Sequence, residues 1–375
     1  MTTEQRAFFE LVKAGLWGTT ADVSAFDSHT DWSRLYKYGK SQTLLGIMLD
    51  GIQTLPAELR PERGLYLRWC AFVLQIEERN KKLNREIDNL YKLLRADGVE
   101  PVLLKGQGAA RNYRNPLHRQ CGDIDIYIGK RNFERVNRLL EQDGQEALEV
   151  CVKHSAYNWH DVSVENHRIL AQMEDPTADR HLQRNIASWH GTDKMVRWEL
   201  DGCEIVVPPV EFDALFLLQH AVHHLFNLGI GFRQICDWAC LLHHNREQLD
   251  RALAARELKA LGLDRASRIF GALAVKYLGL DEADLPLPFD AKDEADCDWL
   301  FDEIWGSGNF GKFDARRTTR PKGYWRGKWH TFTSIVGRNR KLRRVAPAEV
   351  FWTPIMRIVN LVWAQSYLRF GNHKA

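Results

Sequence analysis

Residues 102–129 read VLLKGQGAARNYRNPLHRQCGDIDIYIG, and the fold turns on how this stretch is parsed. A short apolar run stops at Lys105-Gly106, and a second run opens after Gly122 with two aspartates alternating with isoleucines. The pattern predicts a strand over 101–104, a helix over 106–113 and a strand over 123–128. Side chains alternate along a strand, so Asp123 and Asp125 share one face while Ile124, Ile126 and Ile128 point into a core. Two carboxylates held side by side repel each other unless a positive charge neutralises them. A hard divalent cation does this well, taking carboxylate oxygens and completing its shell with water or phosphate.

A two-metal clamp on an in-line displacement needs a third carboxylate from a neighbouring strand. In HDVSVENHRIL (160–170), Val162 and Val164 alternate with Asp161, Ser163 and Glu165, so Glu165 can join the polar face, with Asp161 as its rival. The Lys105-Gly106 turn would give a following helix free backbone N–H groups for phosphate.

Outward from this segment, helical periodicity fills residues 3–97, as in Leu83, Ile87, Leu90 and Leu94. Gly98 ends that pattern. Residues 98–209 alternate between element types, with a helix over 131–142, a strand over 158–165 and strands near 195–207. Past Pro208-Pro209 the helical signal returns over 210–278, residues 281–325 are rich in turn residues, and an apolar helix runs from Pro347 to about Phe370. The expected fold class is α+β: a small mixed sheet at 98–209, between an N-terminal helical region (1–97) and a C-terminal one (210–375) that carries a basic loop at 311–344.

With 45% hydrophobic and 27% charged residues, the composition excludes a disordered or low-complexity chain. The net charge is +3, from 52 basic and 49 acidic residues, so charge alone names no partner. No run of about 18 uncharged apolar residues occurs, and the N-terminus lacks a secretory pattern, which points to the cytoplasm. The seven cysteines show no CxxC spacing and read as reduced thiols.

His220, His223, His224, His243 and His244 lack an HExxH pattern, so they read as buried hydrogen-bonding groups or as base contacts beside the site. His154, His160 and His167 flank Glu165. Asp237, among apolar residues, is expected to pair with Arg233 one helical turn earlier. Residues 311–344 hold twelve Lys or Arg against one acid, interleaved with aromatics. That mixture suits a nucleic-acid strand or a weak contact with an anionic membrane, and equally a solvated basic surface.

Taken together, LLKGQGAA, Arg119 and GDIDIYI resemble the polymerase-β-like nucleotidyltransferase superfamily, in particular its bacterial uncharacterised branch, whose members read LKG, R and DID. The resemblance implies that Asp123, Asp125 and Glu165 hold Mg²⁺ (or Mn²⁺). It further implies that Lys105, Gly106, Gln107, Arg119 and Gly122 surround the nucleotide, and it covers about 98–245. One departure is plain: Gly106-Gln107 stands where Gly-Ser is usual. The implied activity is transfer of a nucleoside monophosphate from an NTP to an acceptor, with release of pyrophosphate. Glu165 or Asp161 would help deprotonate the acceptor, which is a small molecule, a glycan precursor, a protein or RNA. The alternative is an inactive protein of the same fold that binds nucleotide or nucleic acid.

Overall fold

The structure, a computed structural model, describes residues 1–143, 145–150, 153–311 and 323–370. Four helices open it: α1 (Thr3–Trp17), α2 (Trp32–Gln42), α3 (Leu45–Thr54) and the 34-residue α4 (Arg63–Ala96). Local chemistry sets the ends of α1, where Thr2 and Gln5 form a capping box and Gly18 closes the helix in the left-handed conformation. The C-terminal half of α4 lays Leu83, Ile87, Leu90 and Leu94 against the sheet.

The central unit runs β1 (Val102–Leu103), α5 (Gln107–Ala110), β2 (Asp123–Tyr127), α6 (Phe133–Gln142), β3 (Glu146–Val150), β4 (His154–Trp159), β5 (Val162–His167) and α7 (Pro176–Trp189). A separate hairpin, β6 (Val196–Leu200) with β7 (Cys203–Val207), follows. The five-stranded sheet has the order β1-β2-β5-β4-β3. Every pairing in it is antiparallel except β2 with β5, which is parallel.

Three sequence expectations change here. The single strand expected over 158–165 is two strands, β4 and β5, joined by His160-Asp161, both at positive φ (47° and 63°). Such a two-residue turn usually announces itself with Asn-Gly or Asp-Gly, and His160-Asp161 is neither. The helix expected over 106–113 is the single turn α5. Pro116 disfavours helical backbone at Asn115, and Arg111 and Tyr113 are tied instead to Asp213 and Asp237. Strand β3 and helix α7 had no counterpart in the sequence reading.

The C-terminal part comprises α8 (Val210–Asn227), α9 (Phe232–His244), α10 (Arg251–Ala260), α11 (Asp264–Leu278), α12 (Ala291–Ser307), α13 (Tyr324–Leu342) and α14 (Pro347–Phe370). Residues 281–325, expected to be loop-rich, contain α12, capped by Asp290 and burying Cys297, Leu300, Phe301 and Ile304. Of the expected basic loop 311–344, residues 323–342 belong largely to α13, while 312–322 lie outside the described residues. One core joins the two helical regions. Phe9 of α1 packs against Phe232, Tyr277, Phe301 and Trp305, with ring centroids 4.9–5.9 Å apart. Among the described residues no helix is long and apolar enough to cross a membrane. The six described cysteines are free, and Cys151 lies outside the described residues.

Candidate active site

The alternation in β2 sends Ile124 and Ile126 into the core beneath the sheet and puts Asp123 and Asp125 on the opposite face, where Asp123 lines a cleft roofed by α8 and α9 and Asp125 lies buried beneath it. Its partner β5 does the same: Val162 and Val164 are fully buried in that core, and Glu165 and His167 line the cleft. Parallel register sets Asp125 opposite Glu165, and Tyr127 opposite His167. The cleft is a cavity of about 690 Å³.

At its floor Asp125 is fully buried, and its Oδ1 accepts from Lys105 Nζ at 3.1 Å and His167 Nε2 at 2.9 Å. His167 Nε2 also lies 3.4 Å from Glu165 Oε2. Burial opposes a charge on Asp125, yet Lys105 and His167 outweigh it and hold this carboxyl well below the usual range. Asp125 Oδ2 is buried without a hydrogen-bond partner among the described residues. Asp123 behaves oppositely: the neighbouring Asp125 charge, followed by burial, pushes it up to about 6. Burial also works against the charges on Lys105 and His167, but the surrounding carboxylates raise both.

The roof of the cleft is neutral imidazole. Burial is the main cause holding His220 well below its usual value, His223 near 4 and His224 near 3, with Lys105 and other nearby cations adding to it. Gly106 sits at φ +61°, ψ −120°, a conformation open to glycine, and a Cβ there would stand 3.2 Å from the Asp123 carbonyl oxygen. Glycine therefore lets the turn run against the backbone of β2.

Lys105, Gly106, Gly122, Asp123, Asp125 and Glu165 thus gather at one place, while three expected participants do not. Gln107 is buried away from the cleft and donates to Asn80 Oδ1 at 3.1 Å. Arg119 borders the cleft, but its guanidinium is spent in a two-pronged bond to Asp237 (2.9 and 2.6 Å) and a third contact to Cys121. Asp161 sits in the exposed β4–β5 turn beside Lys82, so it is no rival to Glu165. His160 bonds Glu86 nearby in the same exposed region.

The Arg119–Asp237 pair corrects the pairing expected between Asp237 and Arg233. Arg233, in the first turn of α9, makes no ion pair among the described residues. Its Nη1 donates to the Gln120 carbonyl at 2.7 Å, and its Nε is buried without a partner. Burial, with Arg119 beside it, depresses this guanidinium's affinity for its proton. Arg233 lines the cleft near Asp123, whose charge it favours. Helical spacing pointed to Arg233, one turn before Asp237, and the packing of the 111–120 connection against α9 brings Arg119 to that carboxylate instead.

A mixed α+β unit thus brings three strand-borne carboxylates, a lysine and an arginine without an ion pair among the described residues around one cleft. The family model described as uncharacterised nucleotidyltransferase matches residues 28–279, and the chain belongs to that family. The match takes in most of the N-terminal helices and reaches α11, well beyond the 98–245 stretch that carried the sequence resemblance. Among solved structures, an antigenic nucleotidyltransferase-like protein from Paracoccidioides brasiliensis is similar at 13% identity and a TM-score of 0.33, over 54% of this chain and 94% of that one. No curated protein matches.

Proposed function

We propose that this protein is a divalent-cation-dependent nucleotidyltransferase that moves a nucleoside monophosphate from an NTP to an acceptor hydroxyl or phosphate and releases pyrophosphate. The observation that carries this reading is the register of β2 with β5, which sets Asp125 opposite Glu165 beside Lys105 in a cleft that also holds Arg233. The residues fit a cation: the donors are carboxylates, and the buried Asp125 Oδ2 lacks a partner among the described residues. Asp123, Asp125 and Glu165 would hold it, and when bound it supplies charge neutralisation at the reacting phosphate.

In the reaction an acceptor oxygen forms a bond to the α-phosphorus, the bond from that phosphorus to the β-bridging oxygen breaks, and pyrophosphate leaves with the bonding pair. Glu165, partly exposed at the cleft, takes the acceptor's proton. Lys105 and Arg233 offer cationic hydrogen bonds to the phosphates, and the Gly106 turn lets a phosphate approach the backbone closely. The imidazoles of α8 are uncharged at neutral pH and give the cleft polar edges without repelling these cations.

One observation favours the alternative of a nucleotide-binding protein without turnover: Gln107 points away and gives the phosphate turn no side-chain donor. Calorimetric titration with ATP, GTP, CTP and UTP, with and without Mg²⁺ or Mn²⁺, tests the main reading, using an Asp123→Ala, Asp125→Ala double variant as the control. Cation-dependent binding that the double variant loses supports it, and pyrophosphate release with an added acceptor separates transferase from binder. Absence of cation-dependent binding for all four nucleotides rules the reading out.

A further inference from the structure

Glu165-Asn166-His167 lies on β5, and the two-residue spacing puts a carboxylate and an imidazole on the same face of the strand. His167 Nε2 is 2.9 Å from Asp125 Oδ1 and 3.4 Å from Glu165 Oε2, and the three donor atoms lie within 4.8 Å of one another. Neighbouring ligands on an ion with bonds of about 2.1 Å stand about 3.0 Å apart in octahedral and about 3.4 Å apart in tetrahedral geometry. The two distances to Nε2 fall within the span of spacings that neighbouring ligands of one such ion take.

An ion pair serving only the fold accounts for less. Lys105 already neutralises Asp125 through Oδ1, His167 bonds that same oxygen, and Oδ2 of this fully buried side chain has no partner among the described residues. Two hydrogen-bonding nitrogens crowd one oxygen while the other has no partner among the described residues. A cation bound among these groups would use the Nε2 lone pair and bring positive charge to Asp125 in place of the proton that Nε2 now shares.

We propose that His167 is itself a metal ligand, together with Asp125 and Glu165, and that the centre therefore selects a borderline divalent ion of the Mn²⁺, Co²⁺ or Zn²⁺ class over Mg²⁺. This rests on the reading above that Asp125 and Glu165 hold a cation, and it adds a nitrogen donor to that set. Imidazole suits the first-row transition ions, whereas Mg²⁺ keeps to oxygen ligands and retains its waters. The identity of the ion is thus set by the residue two places beyond Glu165 rather than by the aspartates.

The test uses the full chain, stripped by a chelator and loaded with Mn²⁺, read by electron spin-echo modulation and by competition with Mg²⁺. The expected result is modulation from a directly bound nitrogen, with Mn²⁺ held at least about tenfold more tightly than Mg²⁺. His167→Gln is expected to keep an Mn²⁺ site, lose the nitrogen modulation and bring the Mn²⁺ and Mg²⁺ affinities within about threefold. Absence of nitrogen modulation in the parent, or its persistence in His167→Gln, overturns the proposal; the parent's own spectrum decides if that variant does not fold. Asp125→Asn keeps the two failures apart. If it abolishes binding while His167→Gln changes neither signal nor selectivity, only the imidazole ligand is wrong. If it binds both ions as the parent does, the carboxylate centre falls as well.

Discussion

Arg119 and Arg233 show how two residues of one type come to serve different ends. Arg119 neutralises Asp237 through two nitrogens in a buried site, and Tyr113 donates to the same carboxylate at 2.7 Å. Arg119→Ala strands that charge, so urea unfolding should show a loss of about 3–5 kcal/mol, and Arg119→Lys should recover only part of it because an ammonium lacks the fork geometry. Arg233 has no such partner among the described residues. Arg233→Gln should leave stability within about 1 kcal/mol yet weaken calorimetric nucleotide affinity by about tenfold or more, as expected when a charged phosphate contact is lost. Equal effects of the two substitutions on stability would refute this division of roles. Asp123 adds a pH signature in the metal-free protein. Its folded value of about 6 lies above the ordinary 3.8, so its contribution to stability is complete below 3.8 and is lost as pH rises through 6. Asp125→Asn removes the main cause, and a carbon-detected NMR titration should then find Asp123 back near about 4.

At the scale of elements, α14 is tied to α7 by one carboxylate. Glu349 accepts from the backbone N–H groups of Glu174 and Asp175, the latter being the N-cap of α7, at 3.1–3.5 Å. Burial is the chief cause pushing its carboxyl up to about 7 from 4.5. The folded state therefore holds this proton more tightly than the unfolded chain, and the stability involved, on the order of 3 kcal/mol, is present below 4.5 and lost as pH rises through 7. Glu349→Gln keeps an acceptor without the charge. Its melting temperature should exceed the parent's at pH 8 and approach it at pH 5. Parallel pH profiles for the two proteins would show that Glu349 is not the group responsible. The strand elements explain why the acidic site forms where it does: parallel pairing of β2 with β5, the last strand of the β3-β4-β5 meander, sets Glu165 beside Asp125.

Across the whole molecule, the helices before and after the sheet share one core, although the sequence read them as separate regions. Phe9 is fully buried at the junction, among rings contributed by α9, α11 and α12. Phe9→Ala should cost about 3–5 kcal/mol, and because the core is common, far-ultraviolet dichroism and tryptophan fluorescence should shift together in a single transition. Two separate transitions, with the C-terminal helices melting at the parent's temperature, would contradict a shared core.

Local pattern alone determined the strands at 102–103 and 123–127, the helices at 210–227, 232–244 and 264–278, and the common face of Asp123 and Asp125, because each depends on periodicity within a few residues. Period two also marked Glu165, whereas His167 stood in the sequence only as one of three histidines flanking it. The tertiary structure decided the rest. The His160-Asp161 turn splits one expected strand into two without a turn signature, and the contacts of Arg111 and Tyr113 with α8 and α9 leave α5 a single turn. Asp237 pairs with Arg119, 118 residues earlier in the chain, and not with Arg233 one helical turn before it. The last two outcomes depend on which groups meet across more than a hundred residues of chain, where burial makes an unpaired charge costly, and no short-range pattern records that meeting.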